Sequence, residues 1–218
     1  MSETDYEKTS PAGHRPHVPR PSNIANPATL GLFSFASTTL MLSLYNLQAR
    51  SIKTPNVVVG MAIFCGGLAQ LLAGMWEFPK GNTFGASAFT SYGAFWMSYA
   101  TILIPGSGII AAFENAGANE LSGALGIFLI TWFLVTFFLL VAALRKSIAF
   151  IALFGMLSLT FLLLAIGEFN HLPKVTQGGG GLGVVTAIIA YYIGLSDLLA
   201  SDPHSIVQLP LGVFTHGN

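Results

Sequence analysis

Asn26-Pro27-Ala28-Thr29-Leu30-Gly31-Leu32-Phe33-Ser34-Phe35-Ala36-Ser37-Thr38-Thr39 is the stretch that decides the fold. It follows a polar segment holding Pro11, Pro16, Pro19 and Pro21, and it opens the first of six long apolar runs. An Asn at a helix cap and a Pro at the first helical position start a helix cleanly. The helix then mixes Phe33 and Phe35 with Gly31, Ser34, Ser37, Thr38 and Thr39. A helix that faced only lipid would have no use for so many small and hydroxylated side chains. The run reads as the wall of a pathway.

Working outward, the remaining runs are Val57–Trp76, Phe84–Ile104, Leu121–Leu144, Ile148–Ile166 and Leu182–Leu199, after a first run of Leu30–Leu47. Each approaches the roughly 17–25 apolar residues that a spanning helix needs. The 218 residues are 53% hydrophobic and only 8% charged, far below the ~25% of soluble domains. Backbone groups in lipid must be satisfied within the segment, and no run shows the period-two polarity of a barrel strand. The expected fold is all-α, a bundle of six transmembrane helices over residues 27–200. Residues 1–26 form a disordered cytosolic tail in this reading, and residues 201–218 a second cytosolic tail.

Charge supplies the orientation. The N-terminal tail and the second and fourth loops hold Lys8, Arg15, Arg20, Lys80, Arg145 and Lys146, six in all; the other side holds Arg50, Lys53 and Lys174. The positive-inside rule then places both termini in the cytosol. Net charge is zero, so no nucleic-acid footprint is visible. Cys65 is the sole cysteine, four histidines lie in the tails and His171 in a loop, so no metal set, cofactor site or enzyme-type nucleophile–base pair emerges.

The runs differ in character. The fourth and fifth are bulky, which suits surfaces facing lipid or another subunit. The others are rich in small residues, where helices pack closely in lipid. Gly60, Gly67 and Gly74 recur every seven residues on the second run, with Gln70 on nearly the same face. The glycines suit tight packing; Gln70 suits an interhelical hydrogen bond or a pathway wall equally. Gly178 to Gly181 read as a flexible lead-in to the last helix, and Ile109 to Phe113 as a short interfacial patch. Thr29 to Phe35 can be laid on Thr83 to Phe89 with three matches in seven, a faint repeat of three plus three helices.

No Lys or Arg lies inside a run, and Glu77, Glu168 and Asp197 sit near helix ends. Solute contact therefore falls to neutral groups, among them Thr38, Thr39, Gln70, Thr90 and Ser91. Taken singly, each hydroxyl more readily bonds back to its own helix; it is the cluster as a whole that points to a pathway. The helix starts at Asn26 and Asn82 add exposed N–H groups and partial positive charge. Phe35, Tyr92 and Leu157 lie part-way along their helices, as core packing or as an apolar constriction that gates by dewetting.

The opening stretch resembles the Asn-Pro-Ala-Pro-Leu-Gly-Leu signature of the acetate uptake transporters, also called acetate–succinate permeases. The resemblance extends through Thr38-Thr39, Gly66-Gly67-Leu68-Ala69-Gln70 and Glu77-Phe78-Pro79-Lys80-Gly81-Asn82-Thr83-Phe84-Gly85. It continues in Ala88-Phe89-Thr90-Ser91-Tyr92-Gly93, Leu164-Ala165-Ile166-Gly167 and Leu209-Pro210-Leu211-Gly212. It covers nearly everything after residue 25, and the long tail looks like the fungal branch, which works at the plasma membrane. One departure is Thr29, where the signature has its second Pro.

This resemblance implies a homohexameric ring of six-helix protomers in the lipid bilayer, each with its own pathway. It implies movement of acetate and other short monocarboxylates, in some members succinate, generally with protons. Its constriction of Phe, Tyr and Leu falls on Phe35, Tyr92 and Leu157. The expected pathway residues are Asn26, Thr38, Thr39, Gln70, Glu77, Asn82, Thr90 and Ser91. Alternatives that stay open are ammonium or ammonia export and a non-transporting acetate sensor or scaffold.

Overall fold

The computed structural model describes residues 24–214, apart from 115 and 118. The proposed disorder of the N-terminal tail falls almost entirely outside the described residues. Six long helices dominate: α1 (Ala28–Asn46), α2 (Val58–Glu77), α3 (Thr83–Leu103), α4 (Glu120–Ala143), α5 (Ile148–Phe169) and α6 (Pro173–Ala200). Five of them, all but α3, are long and apolar enough to cross a membrane. α3 is diluted by polar and small residues, among them Ser87, Thr90, Ser91, Ser98 and Thr101.

Local sequence explains the helix starts. The Asn26 side-chain oxygen accepts from the Ala28 N–H at 3.2 Å, although the cap position itself is Pro27, one residue later than the sequence suggests. Asn82 caps α3 by accepting from Gly85 N at 3.1 Å, and Ser147 caps α5 by accepting from Phe150 N at 3.2 Å. Pro173 occupies the first position of α6, where its missing N–H costs nothing.

The helices pack in chain order around a ring. Each lies against its sequence neighbours, and α6 closes back on α1; the α3–α4 side is the loosest. Across the middle, α3 and α5 stay apart at backbone level and meet through rings. Phe84 and Tyr92 reach Phe154 with centroids 5.6 and 6.4 Å apart, and Phe95 reaches Phe161 at 5.3 Å. α4 is the outward helix: only 17% of its span is buried, against 39–44% in the other four candidate spans.

Two segments depart from the sequence reading. The glycines Gly178 to Gly181 are not a lead-in; they lie inside α6, which starts nine residues before Leu182. Gly179, Gly180 and Gly183 are buried there, and their missing side chains let α6 approach α1 and α5. On α2, residues Met61–Ala69 form a π-helix. Its wider turn shifts the register, so Gly67 and Gly74 are buried against α3 while Gly60 is left exposed with nothing near it.

The chain beyond Ala200 folds back. Gly212 and Leu211 carbonyls accept from Ile148 N at 3.0 Å and Ala149 N at 3.1 Å, which satisfies donors left free at the start of α5. Ser196 and Tyr192 of α6 donate to the carbonyls of Leu209 and Pro210 at 2.9 and 2.8 Å.

The α1–α6 contact yields a test. A Cβ on Gly180 would sit 2.9 Å from both the Ser43 carbonyl oxygen of α1 and the nitrogen of Leu47, the residue that follows α1, whereas one on Gly181 would meet nothing closer than 4.0 Å. Gly180→Ala is expected to cost about 1–3 kcal/mol. Gly181→Ala, which gains helix propensity, is expected to be neutral or stabilising by up to about 1 kcal/mol. Melting temperatures of the two variants in detergent check this; a Gly180→Ala variant as stable as Gly181→Ala would contradict the close approach.

Candidate functional site

Two cavities end on the same pair of side chains. The first, about 200 Å³, has Asn26, Lys80, Asn82, Lys146 and Asp197 among its walls and runs inward past Gln70, Phe89 and Tyr92 to Phe35 and Leu157. The second, about 100 Å³, begins at Phe35 and Leu157 and continues past Thr39, Trp96 and Tyr99 to Asn46, Glu168 and Thr176. Those last three residues also line an open pocket of about 300 Å³ with Gln48 and His171. The three spaces therefore share walls in series, from the start of α1 to its far end.

The partition is apolar. Phe35, Tyr92 and Leu157 are all buried. The rings of Phe35 and Tyr92 have centroids 5.4 Å apart, and Tyr92 lines the first cavity but not the second. Phe35 comes from α1, Tyr92 from α3 and Leu157 from α5, so the partition depends on how the ring of helices closes.

The mouth of the first cavity is polar and paired. Lys80 Nζ donates to Asn26 Oδ1 at 2.6 Å, and Asp197 faces Lys80 and the Asn26 side chain. Asn82 uses both ends of its amide: Oδ1 caps α3 and Nδ2 donates to Glu77 Oε2 at 2.8 Å. Glu77 is fully buried and its other oxygen has no partner among the described residues. Lys146 lies over the face of Phe84, 4.5 Å from the ring centroid, a favourable seat for a cation.

Deeper in, Gln70 is fully buried, and neither its amide nitrogen nor its oxygen has a partner among the described residues. A buried amide left this way costs free energy, and this one lines the first cavity. Thr39 repeats the pattern on the second cavity, with a buried hydroxyl lacking a partner among the described residues.

Of the residues singled out by sequence, Asn26, Gln70 and Asn82 line the first cavity, Thr39 the second, and Phe35 and Leu157 both. Thr38, Glu77, Thr90 and Ser91 line neither. Thr38 bonds back to the Ser34 carbonyl at 3.0 Å and packs where Gly66 leaves room. Thr90 fills the space over Gly74, Glu77 sits behind Asn82, and Ser91 is half-buried. Sequence reasoning misses Lys80 and Lys146 as cavity residues, because outside a motif match each reads as a loop charge. It also overlooked Trp96 and Thr136, single residues in apolar runs whose neighbours across the fold carry no local signal.

Comparison with known proteins places this architecture. The chain is 50% identical over 189 residues to "Ammonia transport outward protein 2" of Saccharomyces cerevisiae, covering 87% of this chain and 67% of that protein. It is 42% identical over 199 residues to "Acetate permease A" of Emericella nidulans, covering 87% of this chain and 66% of that protein. It thus spans about two thirds of the length of these fungal relatives. Among solved structures, "Structure of the bacterial acetate channel SatP" superposes with a TM-score of 0.75 at 33% identity, covering 87% of this chain and all of that one. The family described as GPR1/FUN34/yaaH matches residues 8–215, and the chain belongs to that family.

Proposed function

We propose that the protein is a channel-like permease for acetate and other short monocarboxylates. The single observation that carries this is the pair of cavities that stop on opposite sides of Phe35 and Leu157. A solute of acetate's size fits such spaces, and weakly binding neutral groups let it leave as readily as it arrives. The likeness to proteins named for acetate transport supports the choice of solute.

In this reading all six helices span the bilayer, six protomers form a ring, and the site is the plasma membrane with both termini cytosolic. Lys80 and Lys146 draw the anion to the first mouth, Gln70 bonds its carboxylate, and Phe35 with Tyr92 and Leu157 opens by small side-chain shifts. The proton travels with the solute or through groups near the ends such as Glu77. The alternative solute is ammonia, favoured by the relative named for its outward transport; a neutral polar pathway would pass it too.

Purified protein in liposomes is expected to take up labelled acetate well above empty vesicles; uptake equal to empty vesicles would contradict the proposal. In the same assay, ammonium that abolishes acetate flux by competition would favour the alternative. Phe35→Ala and Leu157→Ala are expected to raise uptake of succinate relative to acetate by about ten-fold, the order of discrimination that a few methylene-sized contacts supply. Unchanged ratios in both variants would remove these side chains from the gate.

A further inference from the structure

The Tyr92 hydroxyl does not point into the pathway. It lies 2.9 Å from Thr136 Oγ1 on α4, and both side chains are buried. Thr136 Oγ1 is also 2.7 Å from the Trp132 carbonyl oxygen. A carbonyl can only accept, so the single Thr136 proton is committed there. Tyr92 must then be the donor to Thr136. Its phenol proton is spent on α4, and Thr136 and Trp132 line neither cavity. The ring rests between Phe35 at 5.4 Å, Trp132 at 6.2 Å and Phe154 at 6.4 Å.

We propose that Thr136 is a positioning residue for the gate: it holds Tyr92 by its hydroxyl so that only the ring faces the solute. This rests on the permease reading above. α3 and α4 form the loosest side of the helix ring, and in a membrane interior a lone hydroxyl has no water to turn to. The bond therefore sets where the Tyr92 ring stands relative to Phe35 and Leu157. A gate wall held in this way selects by size and offers a carboxylate no donor at its narrowest point. α4 is also the helix turned outward, so whatever packs on it bears on the gate through the Thr136 hydrogen bond and the Trp132 ring beside Tyr92.

The test uses Thr136→Val, Thr136→Ser, Tyr92→Phe and the double variant Thr136→Val/Tyr92→Phe in the full chain. In liposomes, Thr136→Val and Tyr92→Phe are each expected to raise the succinate-to-acetate uptake ratio about three-fold or more, the weight of one buried hydrogen bond. The double variant should match either single, Thr136→Ser should keep the wild-type ratio, and the acetate KM of Tyr92→Phe should stay within about two-fold of wild type. A ratio unchanged in both singles, additive effects in the double variant, or a ten-fold rise in the Tyr92→Phe KM would each overturn the proposal. A wild type without flux would sink the permease reading, and the anchor is then read from melting temperatures in detergent. Each single should lower the melting temperature by about 2–4 °C, with no further drop in the double variant; two independent drops would reject the anchor itself.

Discussion

Helices in a membrane are not driven together by water, so their spacing is set by what fills the gap between them. Here two kinds of filling oppose one another. Glycines on α2 and α6 leave almost nothing between neighbours and draw those backbones together around the rim. In the middle, α3 and α5 are held apart by Phe84, Phe95, Tyr92, Phe154 and Phe161. A rim that is tight along α2 and α6, around a wide centre, leaves room along the axis, and the cavities occupy that room. The cavities follow from side-chain volume before any polar group is considered.

The polar groups then divide by depth. At the first mouth they are paired, with Lys80 on Asn26 and Asn82 on Glu77. Further in, Gln70 and Thr39 carry buried polar atoms without partners among the described residues, one on each side of the partition. Unsatisfied groups at these positions are costly unless a solute or water completes them, and they flank the apolar stop formed by Phe35 and Leu157. In the proposed permease this order amounts to weak binding, then a dry step, then weak binding again.

Much of this was legible in the sequence, for physical reasons. The apolar runs matched helices closely where length and hydropathy dominate, as in Leu121–Leu144 against an observed Glu120–Ala143. The start of α6 was misread because four glycines weaken a helix in water, whereas here they serve packing against α1 and α5. The seven-residue glycine pattern failed at Gly60 because a π-helical stretch changes the turn, which residue spacing does not reveal. Asn26 and Asn82 stand out as polar helix starts, and Gln70 as an amide inside an apolar run. Thr136 did not, since one Thr in an apolar helix reads as a back-bonded hydroxyl, and its bond to Tyr92 spans 44 residues.

The central claim is that Phe35 and Leu157 separate two spaces that open to opposite sides of the membrane. Single cysteines at Leu32, on the first cavity, and at Thr39, on the second, test it directly once Cys65 is replaced by Ala. A small membrane-impermeant thiol reagent is applied to right-side-out and to inverted vesicles. The account predicts that Leu32→Cys is modified from the side holding the start of α1 and Thr39→Cys only from the opposite side. Modification of both from one and the same side would contradict it.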